Sequence, residues 1–128
     1  MTSSGEVLAR MRAICLALPD TKETMTWGEP HFRVFDKIFA GCGTEKQRLS
    51  IGCKLKKEHQ AAIVQRPGFS IAPYVGRHGW ISIDPAVFAD WDEIAELITI
   101  SYRLIAPKKS LAKLDAAQAK PTKNGRKR

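Results

Sequence analysis

This chain predicts an α+β fold: an antiparallel sheet with N- and C-terminal helices packed on one face. Three observations carry that expectation. Apolar residues recur at helical spacing near both ends of the chain. Between them lie short stretches that alternate apolar with polar, joined by connections short enough to imply antiparallel hairpins. The length of 128 residues and the hydrophobic content of 44% suit one domain with a core that needs no disulfide. Helices gathered on one face of such a sheet form a two-layer sandwich.

The first helix starts at a capping box, Ser3 with Glu6. Leu8, Met11, Cys15 and Leu18 follow at helical spacing until Pro19 stops them, and Arg10 and Arg12 fall on the solvent side. From about Met25 to Cys53 the period shortens. "HFRVF" sets Phe32 and Val34 against Arg33, Asp36 and Lys37 make a tight turn, and "QRLSIGC" sets Leu49, Ile51 and Cys53 against Ser50 and Gly52. "KLKKEHQAAIVQR" reads as a second helix ended by "RPG". "FSIAPYV" and "GWISI" read as two further strands linked by "GRHG", with Pro73 marking an edge or a bulge. Asp90 then caps a helix with Glu93 three residues on, and Ile94, Leu97, Ile98, Ser101, Tyr102 and Ile105 form its apolar stripe before Pro107.

Charge divides the chain differently. Residues 107–128 carry eight Lys or Arg against one acid, Asp115, which leaves +7 of the net +8 there and +1 on residues 1–106. The expected organisation is a domain over 1–106 and a basic, disordered tail over 107–128, although Leu111 and Leu114 could extend a short helix. No apolar run is long enough to span a membrane, and "MTSSGEVLARMR" lacks the pattern of a signal peptide. Cys15, Cys42 and Cys53 show neither metal-ligand nor disulfide spacing, so a reducing cytoplasm is expected and no metal or cofactor.

"ICLALPDTKETMTWGEPHFRVFDKIFA", "APYVGRHGWISI" and "ELITISYRLIAPK" occur in the order seen in MmcQ/YjbR proteins, which the chain resembles from about Ile14 to Lys108. The resemblance implies a compact frataxin-like α+β fold. It also implies DNA binding through a "double wing" of strands, and it supplies no catalytic residue. Iron handling, a possibility that such a fold raises, would need an acidic face. The first helix has Glu6 against Arg10 and Arg12, while Asp90, Asp92, Glu93 and Glu96 suit the start of the last helix.

Two readings of the functional residues follow. In the first, the chain binds DNA largely without sequence preference, as a monomer, through phosphate contacts from hairpin loops and tail. Its candidate residues are Arg33, Lys37, Lys54, Lys56, Lys57, Arg77, His78, Lys108, Lys109, Arg126, Lys127 and Arg128. Arg77 and His78 are expected at a hairpin tip between two glycines, as a wing would present them. In the second, a small molecule or protein partner sits in a pocket around Trp27, His31, Tyr74 and Trp80. Weighed against that pocket, Trp27 and Phe32 are expected to anchor the first helix on the sheet, with Gly28 and Pro30 shaping the chain. No nucleophile is spaced beside a base, so no enzyme is expected.

Overall fold

The computed structural model describes residues 4–45 and 48–119. Helix α1 (Ser4–Cys15) is followed by strands β1 (Thr21–Thr26), β2 (Glu29–Val34), β3 (Lys37–Glu45) and β4 (Arg48–Lys54). Helix α2 (Lys57–Ile63), β5 (Phe69–Ile71), a 3-10 turn (Gly76–His78), β6 (Trp80–Ile83), α3 (Trp91–Ile105) and α4 (Lys108–Ala119) complete the chain. The six strands form one sheet in the order β1-β2-β3-β4-β6-β5, antiparallel at every pairing. The predicted α+β class and antiparallel sheet hold.

Helices α1 and α3 cover one face of the sheet. The strands turn Phe32, Val34, Ile51, Cys53, Ile81 and Ile83 toward them, all essentially without exposure. Val7, Met11 and Cys15 of α1 meet that layer, as do Ile94, Leu97, Ile98 and Tyr102 of α3. Both sets repeat every three or four residues, the spacing that puts side chains on one side of a helix. Tyr102 packs edge-on against Phe39, with ring centroids 5.4 Å apart, and its hydroxyl donates to the carbonyl of Pro19 at 2.7 Å.

One irregularity orders the sheet. Phe32 pairs with Ala40 but Arg33 pairs with Ile38, so Phe39 is an extra residue in β3. Phe39 and Ala40 are therefore both buried, one after the other. Ser101 holds this bulge to α3. Its hydroxyl donates to the Phe39 carbonyl at 2.6 Å and accepts from the Lys54 amide at 2.8 Å, and the side chain is fully buried.

Four expectations change. β1 was not foreseen, because "TKETMT" has no apolar face to alternate. It is an edge strand held by six paired positions to β2, with the Glu23 carboxylate taking two bonds from the Arg12 guanidinium. The disordered tail is corrected over Lys108–Ala119, which is helix α4. Ser110 is fully buried and donates to Asp20 Oδ2 at 2.7 Å, Lys113 reaches Asp20 Oδ1 at 2.9 Å, and Leu114 enters the core. A few such contacts dock a helix whose composition alone looked too polar to fold. Asp90 caps α3 through the amides of Asp92 and Glu93, but the Glu93 side chain turns away to pair with Arg66. "YVGRHGW" lies in the β5–β6 hairpin connection, but not as the tight tip expected. Arg77 and His78 lie on the 3-10 turn, which α2 holds down through Gln60 Nε2 donating to Gly76 O at 2.7 Å and Lys57 Nζ donating to Arg77 O at 3.0 Å. The Ser3 cap and residues 120–128 lie outside the described residues.

Replacing Ser101 by Ala is expected to cost about 1–3 kcal/mol, since it strands a buried amide and a buried carbonyl. Urea unfolding should show a lower midpoint with an unchanged slope. Hydrogen bonds from Lys113 and Ser110 hold the Asp20 carboxyl below its ordinary range. A depressed carboxyl contributes stability above its unfolded pKa, about 3.9, and loses it as the pH falls further. Protection factors against hydrogen exchange in α4 should therefore fall below about pH 4, before those in α3 do.

Candidate functional site

The face of the sheet away from α1 and α3 holds an open trough of about 640 Å³. Across its floor the cross-strand series His31, Gly41, Gly52, Ser82 runs from β2 to β6, with Ile38 beside it. The bulge at Phe39 decides this arrangement, because it restores Gly41 and Gly43 to the open side after Ala40.

Each of those two glycines seats a polar side chain of β2. A Cβ on Gly41 would lie 2.8 Å from His31 Cδ2, and a Cβ on Gly43 would collide with the Glu29 carboxylate. Glycine in a strand interior here marks a close approach. Glu29 Oε2 accepts from the Thr44 amide at 3.0 Å. His31 Nδ1 lies 3.0 Å from the carbonyl of Glu29. In the neutral ring that bond places the proton on Nδ1 and leaves Nε2 an acceptor.

The walls are aromatic. Trp27 and Gly28 form the two-residue turn between β1 and β2, both with positive φ (52° and 79°). Hairpin turns of this kind favour Asn or Gly at the position Trp27 occupies. Across the trough, Tyr74 also has positive φ, 68°, in the connection between β5 and β6. A left-handed backbone costs a side-chain-bearing residue about 1–2 kcal/mol. Yet the two aromatics are 94% and 97% exposed, so packing does not offset that strain. Trp80 stands half-buried beside them.

The four pocket residues read from sequence, Trp27, His31, Tyr74 and Trp80, therefore line one trough. The anchoring role expected for Trp27 is corrected: Phe32 is in the core and Trp27 is in solvent. Glu29 stood beside His31 among the polar residues next to the aromatics, whereas Gly41 and Gly43 were not among the candidates, although "GCG" within a strand was a legible sign of close contact.

No Lys or Arg lines the trough, and Glu29 is its one charged residue among those described. Cations flank it. On the same sheet face, one row beyond the floor, Lys22 pairs with Arg33 and Lys54 pairs with Trp80. Arg33 spends its guanidinium on Thr24 Oγ1, Thr26 Oγ1 and the Asp36 carbonyl. Lys57 and Arg77 meet beside the connection that carries Tyr74. Lys37 and Lys56 are exposed at the start of β3 and just before α2, and the Arg77 guanidinium lies 3.3 Å from His78. Lys108 and Lys109 are on α4, where Lys109 Nζ sits 4.6 Å from the Phe35 ring centroid. Arg126, Lys127 and Arg128 lie outside the described residues.

The model of the YjbR family matches residues 16–104. This chain belongs to the YjbR family. Solved structures share the fold of this YjbR protein. A Deinococcus radiodurans protein with a DUF419 domain superposes with a TM-score of 0.67 at 18% identity, over 82% of each chain. A Pseudomonas syringae protein gives 0.61 at 22% identity, over 77% of this chain and 96% of its own. No curated protein matches the chain. No helix among the described residues is long and apolar enough to cross a membrane. No group of three or more His, Cys, Asp or Glu among them is placed to hold a metal.

All three cysteines are buried and free. Burial pushes the Cys53 thiol up to about 12 and raises Cys15 and Cys42 as well, so each is held as the neutral thiol. The folded chain should not react with a thiol reagent at pH 8, and all three cysteines should react once it is denatured.

Proposed function

We propose that this YjbR protein binds nucleic acid as an unpaired strand laid across the open sheet face, and performs no chemistry on it. The observation that carries the reading is the pair Trp27 and Tyr74, exposed and conformationally strained on opposite walls of one trough. Strain without compensating burial points to a role outside the fold. Aromatic platforms over a sheet bind single strands by stacking on bases, whatever their sequence. A duplex hides those faces.

The charge distribution fits the same picture. Lys22, Arg33 and Lys54 run along one side of the floor, and Lys57 and Arg77 lie at its end. Backbone phosphates would follow those cations while bases occupy the trough, whose described lining holds no cation. This moves the contacts from projecting wings to the sheet face. Neutral, buried thiols argue for binding over catalysis, and they suit a reducing cytoplasm.

A second reading is a small planar ligand in the trough, favoured by the absence of any cation from its lining among the described residues. One titration separates the two. The full chain is titrated with a labelled 12-nucleotide single strand and with the matching duplex. Preference for the single strand is expected, with a log–log salt slope of about −2 if three phosphates are neutralised. Trp27→Ala and Tyr74→Ala should each weaken binding by about 5- to 150-fold. Equal affinity for the duplex, with neither substitution mattering, would restore the phosphate-only reading. A free nucleoside that competes as well as the strand would favour the small ligand.

A further inference from the structure

We infer that the trough selects a guanine-type base, with Glu29 as the specificity-determining residue; the inference rests on the stacking reading above. The polar groups turned into the trough from β2 are acceptors. Glu29 Oε2 takes one hydrogen bond, from the Thr44 amide, and Oε1 takes none among the described residues. A carboxylate oxygen offers two lone pairs, so both oxygens still have room for a donor. His31 Nε2 is a further acceptor two residues along the same face, its ring held by the bond from Nδ1 to the Glu29 carbonyl. Among the described residues no Lys or Arg lines the trough to serve an acceptor edge.

A carboxylate with both oxygens available matches two adjacent N–H donors. Guanine presents that pair on its Watson–Crick edge, the ring N1–H beside the exocyclic amino group. Adenine and cytosine offer one amino group next to a ring acceptor, and thymine offers one N–H between two carbonyls. Each of these sets a lone pair against the carboxylate, a repulsion that discriminates as strongly as the matched pair attracts. A cation also lies within a nucleotide's length of the carboxylate. Glu29 and Arg33 are four residues apart on β2, on the same face, a span on the order of 13 Å. A base edge at Glu29 leaves its phosphate pointing toward the row of cations. The carboxylate is positioned for this by Gly43, since any side chain there would displace it.

The test uses the full chain and a labelled oligo-dT strand carrying one central dG, dA, dC or inosine. The dG strand is expected to bind about 5- to 150-fold more tightly than plain oligo-dT, the discrimination of one good bidentate pair. Inosine, which lacks the amino group, should lose most of that gain. Glu29→Gln should abolish the dG preference, and an unchanged circular dichroism spectrum and thermal midpoint should show that the variant is folded. Gly43→Ala should weaken the preference independently. If all strands bind alike and still depend on Trp27, the base selection is wrong and the stacking reading stands. A preference for dG that survives Glu29→Gln also overturns the assignment. If no strand binds, both fall together.

Discussion

The bulge at Phe39, held by the Ser101 hydroxyl, is the constraint on which the rest of this molecule depends. A regular strand would alternate strictly, and one residue more or less moves every later side chain to the other face. With Phe39 inserted, Phe39 and Ala40 both face the helices, and Gly41 and Gly43 face away from them. The buried Ser101 bridges the Phe39 carbonyl and the Lys54 amide, so the same group joins β3, β4 and α3. Core and trough are thus two sides of one register. The glycines that would weaken a core are placed where they leave room for His31 and Glu29.

The two faces of the sheet follow opposite rules. The covered face closes around apolar side chains with almost no exposure. The open face sets Gly41, Gly43, Gly52 and Ser82 beside His31 and Ile38, and Trp27 and Tyr74 stand at its rims in left-handed backbone. Burial explains the first face completely. It does not explain the second, since exposed aromatics on strained backbone lower stability without adding contacts. On the open face the Glu29 carboxylate lies in the trough, and Arg33 and Lys54 lie one row beyond its floor.

Much of the fold was readable from periodicity. The stripe of α3 from Ile94 to Tyr102 and the alternation in β2 and β4 are direct signatures of helices and strands with one buried side. Strand β1 was not readable, because an edge strand can be polar on both sides and owe its existence to hydrogen bonds with its neighbour. Helix α4 was not readable either. Its docking rests on Asp20, ninety residues before Ser110 in the chain, and no local pattern reports such a meeting. The four pocket residues were found for a mixed reason: aromatics beside turn residues are conspicuous, but the same signal suggested that Trp27 was buried.

By itself the sequence determined the α+β class, the family, the apolar faces of α1 and α3, and the basic bias of the last residues. These are properties of composition and local spacing, and spacing is set by the geometry of a helix or a strand. Tertiary structure alone decided that Trp27 faces solvent and that Trp27, His31, Tyr74 and Trp80 share one trough. It alone decided that Glu29 lies over Gly43 and that Arg77 sits on a packed turn instead of a wing. Those facts depend on which strands pair, in what register, and where a single extra residue falls, and pairing between distant segments is chosen by the packing of the whole core.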